Sequence, residues 1–327
     1  MKENGVSAFL CNEMTVELSE SDIKSQVSSQ IVIVPPRIGS KRAGSCPESL
    51  VARGQARLSG VAGSILETRY FFHGHRLFTA PILIYKEKGP ETGVASYRPI
   101  GLANTLYKLW TRLIANTLYE HAEVNSLLSN MQAGFRKKHD TIQQLQNVLM
   151  SLEDAKFYKQ DVYALIVNLT FAFNTTDHDK LLIIMFDLGF PTDAIDVVKN
   201  LYYQAHTRIR LPSGCTGDIP VERGTIKGDS LSPFLFLNYM EPLLRWLHAG
   251  NRGYMHGHAD TSTPNNKKAK NCTSSGAFAD DLICLSGSYP NLRLQAMKLT
   301  QYADWAHLII SGKKTKAMKT NFCVATR

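Results

Sequence analysis

No C-x-x-C pair occurs anywhere in this chain of 327 residues. Its cysteines (Cys11, Cys46, Cys215, Cys272, Cys284 and Cys323) lie far apart. That spacing argues against a disulfide framework or a zinc finger and fits a reducing compartment. No apolar run approaches the ~20 residues of a membrane helix. The start, "MKENGVSAFLCNEMTVELSESD", lacks the basic opening and long apolar run of a signal peptide. No internal repeat is evident. Acidic residues are in deficit: 28 Asp and Glu face 37 Lys and Arg, giving a net charge of +9 and a pI near 9.2. A surplus of that sign attracts polyanions, of which nucleic acid is the commonest large one. The basic clusters "FRKKH" (135–139), "NKKAK" (266–270) and "GKKTK" (312–316) fit that reading, and each also fits an ordinary solvated face.

What is present suits a globular protein of about two domains with a sizeable core: 44% of residues are hydrophobic and 20% charged. Residues 1–60 show weak periodicity and the punctuated stretch "VPPRIGSKRAGSCPES", and read as a poorly ordered lead-in. From Phe78, "FTAPILIYKEKGPETG" reads as a strand entering a turn. Two amphipathic helices follow, "ANTLYKLWTRLIANTLYEHAEVNSLL" and "TIQQLQNVLMSLEDAKFYKQ". "DVYALIVNLTFAF" switches to a strand pattern rich in branched and aromatic residues. "TTDHDKLLIIMFDLGF" restarts a helix, with Thr176 or Asp177 as N-cap and Gly189 as its end. "PTDAIDVVKNLYYQA" is helical, "TRIRLPSGCTGDIPVERGT" reads as paired strands, and "KGDSLSPFLFLNYMEPLLRWLHAG" as a long apolar helix. In that last helix Ser232 and Pro233 are expected at the N-cap and first turn, with a kink at Pro242. "NLRLQAMKLTQYADWAHLII" is expected to be helical throughout. The two "HGH" stretches, at 73–75 and 256–258, have no cysteines at ligand spacing and read as polar loops.

"GAFADDLICL" (276–285) sets Asp280 and Asp281 side by side between short apolar runs. Runs that short read as the strands of a hairpin. Adjacent carboxylates repel unless a cation sits on them. Either the pair holds a divalent ion, since Mg²⁺ is usually bound by one or two carboxylates plus substrate phosphates, or it is a plain polar turn.

Five segments in order resolve that choice by resemblance: "YRPIGLANTLYKL" (97–109), "QAGFRK" (132–137), "ALIVNLTFAFNTTDH" (164–178), "ERGTIKGDSLSPFLF" (222–236) and "AFADD" (277–281). Together they resemble the reverse transcriptase domain of LINE-type, non-LTR retrotransposons, over roughly residues 80–320. The resemblance implies an α+β fold, the fingers and palm of a right-hand polymerase, with a small antiparallel sheet backed by helices. It sets a fingers-like region at 61–160, the palm with its acidic hairpin at 161–320, and a truncated tail at 321–327 that leaves the thumb missing and no endonuclease ahead. It further implies RNA-templated addition of deoxynucleoside triphosphates to a DNA primer, with two Mg²⁺ ions (Mn²⁺ as substitute). Asp280 and Asp281 match the metal-binding hairpin, and the Leu169 carbonyl would face a metal. Backbone N–H groups of Phe171 and Ala172 would face the triphosphate, and Phe173 matches the aromatic gate against a ribose 2′-hydroxyl. Lys86 and Arg98 match the phosphate-gripping cations of the fingers, Gly228 the point of close backbone approach to the base pair, and Lys314 the lysine that protonates pyrophosphate. An intracellular location is expected, with the nucleus suggested by the habits of such elements alone; no membrane partner is expected, and oligomeric state is left open.

The departures point the other way. The related motif reads Asp-Leu-Thr-x-Ala-Phe-Asp, and this chain has "NLTFAFN", with Asn168 at the first metal aspartate and Asn174 replacing a second acid. Lys227 stands at a usual glutamine, adding charge beside the base pair, and Ser230 at a usual proline. Asp161 and Asp177 are the nearest acids, the first about 23 Å up an extended strand at ~3.3 Å per residue. Two functions therefore stay open: an RNA-directed DNA polymerase impaired at Asn168, and a non-catalytic nucleic-acid-binding protein of the same fold. A metal-dependent hydrolase built on the Asp-Asp pair finds no other acidic motif to support it.

Overall fold

The computed structural model describes residues 78–93, 96–102, 105–203, 205–208, 210–211, 214–226, 228–257 and 272–322. The expected lead-in at 1–60, the first "HGH", the "NKKAK" cluster and Lys227 lie outside them. The chain opens with strands β1 (Phe78–Tyr85) and β2 (Tyr97–Leu102), then helices α1 (Thr105–Val124) and α2 (Thr141–Phe157). Next come β3 (Tyr163–Val167), β4 (Leu169–Thr170) and helices α3 (Ala172–Thr175), α4 (His178–Leu188) and α5 (Thr192–Tyr203). Short strands β5 (His206–Thr207), β6 (Arg210–Leu211), β7 (Gly214–Cys215) and β8 (Ile219–Pro220) lead into α6 (Ser232–His248). The last stretch holds β9 (Tyr254–Met255), β10 (Cys272–Thr273), β11 (Ser275–Phe278), β12 (Asp281–Ser286), α7 (Tyr289–Trp305), β13 (Ile309–Ile310) and β14 (Lys316–Lys319). No helix among the described residues is long and apolar enough to cross a membrane.

Most elements form where local chemistry favours them. Helix α2 starts at Asp140, whose carboxylate accepts the Gln143 N–H at 2.8 Å, and α4 starts at Asp177, which accepts the Lys180 N–H at 3.1 Å. Gly189 ends α4 in the left-handed conformation. Three details differ from expectation. The strand through "ALIVNLTFAF" breaks at Asn168, and Phe171, at φ 53°, turns the chain into α3. The last helix stops at Trp305, because His307 takes φ 53° and the following Ile309–Ile310 pair as a strand. Ser232 is the first helical residue of α6 and its hydroxyl donates to Ile226 O at 2.7 Å, so it does not cap the helix.

The described residues of Ser129–Ala172 and Met240–Arg327 form one compact unit, and those of Pro36–Leu128 and Phe173–Tyr239 the other. In the first, a four-stranded sheet runs β11-β12-β3-β14, every pairing antiparallel. Strand β3 lies inside this sheet, which is why Ala164, Leu165 and Val167 are all buried. Helix α2 covers one face through Val148, Leu152 and Ala155, which meet Ala164 and Leu285; α7 also packs on β12 and β3. In the second unit β1 pairs antiparallel with β2, in a sheet of order β2-β1-β5-β8. There α4 packs on α5, and Phe234 of α6 meets Tyr119 and Phe190 edge-on at 4.7 and 5.8 Å.

Among the described residues of the first unit, Glu241 and Arg136 are buried ionisable groups. Glu241 is fully buried and accepts from Arg245 Nε at 2.8 Å and Ser129 N at 2.9 Å. Burial pushes its carboxyl above the ordinary value of 4.5, Arg245 opposing the shift. A raised folded-state value means the folded chain holds the proton more tightly, so this group's contribution is greatest below pH 4.5 and is lost as pH rises through the raised value. We expect Glu241→Gln to flatten the fall in Tm with rising pH above 4.5, measured by thermal melts across a pH series. An unchanged slope would refute this account.

Candidate active site

The pairing of β12 with β3 ends with Leu282 opposite Val167, and the same register continued by one rung would set Asp281 across from Asn168. Adjacent strands lie ~4.8 Å apart, and cross-strand partners project on the same face. Asn168 and Asp281 therefore share one end of one face. That end is open: Ile166, on the same face, is 42% exposed, whereas Ala164 further along is buried under α2. Asp280 occupies the turn and is half-buried, while Asp281 is exposed.

Asn168 is fixed through its backbone. Its N–H donates to Thr315 Oγ1 at 3.3 Å and its carbonyl accepts the Ser311 N–H at 2.9 Å. The same Ser311 carbonyl takes the N–H groups of Lys314 (3.2 Å) and Thr315 (2.8 Å), closing the turn that carries Lys313 and Lys314. Lys314 is exposed on that turn. Along an antiparallel ladder successive residues bond to opposite sides. Asn168 bonds toward Ser311, so the Leu169 carbonyl turns to the other edge, where β12 and the acidic hairpin lie. Phe171 is left-handed and Ala172 begins a helix; such a pair of conformations points successive N–H groups into a concavity suited to an anion.

In the second unit Phe173 and the "GTIKGDS" segment meet. The Phe173 carbonyl accepts the Thr225 N–H at 2.8 Å, and Gly224 N donates to Thr176 O at 2.7 Å. The Phe173 ring stacks on Phe236 with centroids 4.3 Å apart and a tilt of 25°. Gly228 has φ 92°, and a Cβ there would lie 2.8 Å from the carbonyl oxygen of Gly101 on β2. Asp229, beside it, is buried and accepts the Thr111 hydroxyl; burial pushes its carboxyl up, the Thr111 bond opposing. On the β1–β2 hairpin, Arg98 pairs with Ile84, and Lys86 N donates to Ser96 O at 2.8 Å. Positions 86 and 98 thus fall on the same face, two rungs apart.

Neither nearby acid replaces the missing aspartate. Asp161 binds Lys319 Nζ at 2.8 Å at the far end of β3, and Asp177 is the cap of α4. Among the described residues no group of three His, Cys, Asp or Glu side chains is assembled to hold a metal. Asp280, Asp281 and the Leu169 carbonyl suit one divalent ion completed by phosphate oxygens. They do not suit two, because the amide of Asn168 brings no charge to bridge a second.

The "QAGFRK" segment, to which motif reading gave no task, proves to lie under the hairpin. Ala133 N donates to Ala277 O at 2.9 Å and Ala277 N to Met131 O at 2.7 Å. Gln132, fully buried, bonds to the backbone of Ala279. The signal in the sequence was a glutamine set before small and apolar residues at the head of a basic run.

Comparison with known proteins agrees with this layout. The reverse transcriptase (RNA-dependent DNA polymerase) family matches residues 84–324, and the chain belongs to it. It is 29% identical over 189 residues to a probable RNA-directed DNA polymerase from transposon BS of Drosophila melanogaster, covering 58% of this chain and 21% of that protein. It is 25% identical over 247 residues to a retrovirus-related Pol polyprotein from the type-1 retrotransposable element R2 of Nasonia vitripennis, covering 72% of this chain and 22% of that one. The chain thus spans about a fifth of the length of these relatives. Among solved structures it is similar to telomerase from Candida tropicalis, with a TM-score of 0.51 at 10% identity over 79% of this chain and 44% of that one. The fold is the α+β fingers and palm of a polymerase. For the Phe173–Phe236 stack, Phe236→Ala should cost ~3–5 kcal/mol, the usual range for a buried phenylalanine, read by denaturant unfolding. A cost below ~1 kcal/mol would show that the stack is not part of a packed core.

Proposed function

We propose that this chain is the fingers-and-palm part of a retroelement RNA-directed DNA polymerase whose nucleotidyl transfer is impaired by Asn168. Members of the family generally use divalent metal ions. What supports this reading is the β3–β12 register, whose last pair, Val167 with Leu282, is followed by Asn168 on one strand and preceded by Asp281 on the other. In this reading Asp280 and Asp281 hold the ion, Lys86 and Arg98 grip the triphosphate, and the N–H groups of Phe171 and Ala172 meet its oxygens. Phe173 excludes the ribose 2′-hydroxyl, Gly228 and Lys227 border the base pair, and Lys314 delivers a proton to pyrophosphate. RNA is the template, DNA the primer, and nuclear DNA the setting. The solved telomerase it resembles was captured with a fragment of telomeric RNA, which supports an RNA-binding role for the shared fold.

One missing charge at close range is worth several kcal/mol at the effective dielectric of a protein surface. A deficit of ~4 kcal/mol is about a thousandfold in rate. Primer extension with Mg²⁺ or Mn²⁺ should therefore give little or no product from this chain, and robust extension would overturn the proposal. Asn168→Asp should tighten Mn²⁺ binding about tenfold or more, by electron paramagnetic resonance titration; one added carboxylate supplies at least ~1.4 kcal/mol at this range.

A second reading, a nucleic-acid-binding protein without catalysis, is favoured by the same Asn168 together with the net charge of +9. Under either reading, retention on RNA should fall steeply as salt rises, because phosphate contacts release counterions. A flat response to salt would argue against nucleic-acid binding altogether.

A further inference from the structure

We propose that Gln132 is a positioning residue for the acidic hairpin, its buried amide holding Ala279 in a left-handed conformation and so aiming the carboxylates of Asp280 and Asp281. The hairpin loop is Ala279 and Asp280, closed by the Phe278–Asp281 pair. A tight turn of this length asks for positive φ at its first position, which glycine adopts without strain. Here the position is an alanine at φ 59°. A residue with a Cβ stays there only where its surroundings over-determine it.

Gln132 supplies that determination. Its Oε1 accepts the N–H groups of Ala279 and Gly134, both at 2.9 Å, and its Nε2 donates to Ala279 O at 3.2 Å. One fully buried side chain thus binds both backbone polar groups of the residue next to Asp280. Gly134 closes the other side: a Cβ at 134 would lie 2.3 Å from Ala279 N, so no side chain fits between loop and hairpin. The loop is itself anchored, since the Arg136 guanidinium donates to Ser129 O at 2.6 Å and to Gln132 O at 3.0 Å. Two adjacent carboxylates converge on one cation only if the tip cannot relax as their repulsion demands. The inference rests on reading Asp280 and Asp281 as metal ligands.

A matched pair of substitutions tests it in the full chain. Gln132→Met keeps the bulk and removes the bonds. Gln295→Met does the same to another fully buried amide, which donates to Ser274 O (3.1 Å) and Leu285 O (3.3 Å), well away from the hairpin's turn. Binding of Mn²⁺ is followed by electron paramagnetic resonance, and exchange of the Ala279 amide by NMR. Gln132→Met should weaken Mn²⁺ binding about tenfold, as loss of groups that orient metal ligands does, and speed Ala279 exchange. Gln295→Met should lower Tm with neither effect. Gly134→Ala, pushing on Ala279 with Gln132 intact, should weaken Mn²⁺ binding as well. Equal weakening by both methionine variants, or an unchanged affinity in Gln132→Met, overturns the proposal. If the unsubstituted chain binds Mn²⁺ no better than Asp280→Asn with Asp281→Asn, the metal reading fails, and the clamp is judged on Ala279 exchange: faster only in Gln132→Met upholds it, unchanged overturns it. Should Gln132→Met not fold, Gln132→Asn, with the amide drawn back by one carbon, takes its place under the same expectations.

Discussion

The pairing of β3 with β12 is the constraint from which the acidic end of this protein takes its form. Antiparallel register has a period of two, so a slip of one residue would turn every side chain on β3 to the opposite face. Both ends of the strand are also tied to the segment on its other edge, the one away from β12. Buried Val162 donates to Thr320 Oγ1 at 2.8 Å at one end, and Asn168 is bonded to Thr315 and Ser311 at the other. Between them Ala164, Leu165 and Val167 are buried, so a shifted register would bring Ile166 into the core and push apolar neighbours out. The alignment of residue 168 with Asp281 is thus a by-product of core packing.

The second unit uses a different device for the same end. A carbonyl of the "AFN" segment takes a backbone N–H from "GTIKGDS", and an aromatic pair locks the orientation of Phe173. Backbone bonds of this kind are indifferent to side-chain identity. Segments far apart in sequence are joined by their main chains, leaving the side chains between them available for other tasks.

Much of this was legible in the sequence, and the reason is periodicity. Helices α1, α2, α4, α5 and α6 and strands β3, β11 and β12 follow from apolar spacing, and Asp177 and Gly189 mark the ends of α4 as their chemistry requires. What escaped is what carries no period. Strand β13 is only Ile309–Ile310, and an apolar pair directly after an amphipathic helix looks like more helix until His307 turns the chain. The loop that supports the hairpin escaped for a related reason. Gln132, Gly134 and Arg136 act through contacts 147 residues away or with a backbone that has no sequence signature, so motif order could mark them but not say what they hold. The buried Glu241 was invisible too, since a lone acid in an apolar helix reveals its partner at Ser129 only after folding.

Among the described residues, the bonds that hold residue 168 are made by its main chain, through its N–H and its carbonyl. Those two bonds are therefore the same whether that position bears an acid or its amide. Asparagine and aspartate codons differ by a single base, so a lineage can cross between them without disturbing the protein's architecture. An acid there would add a like charge beside Asp281, tolerable when a cation is bound, so without selection on the chemistry the amide is the easier allele to keep.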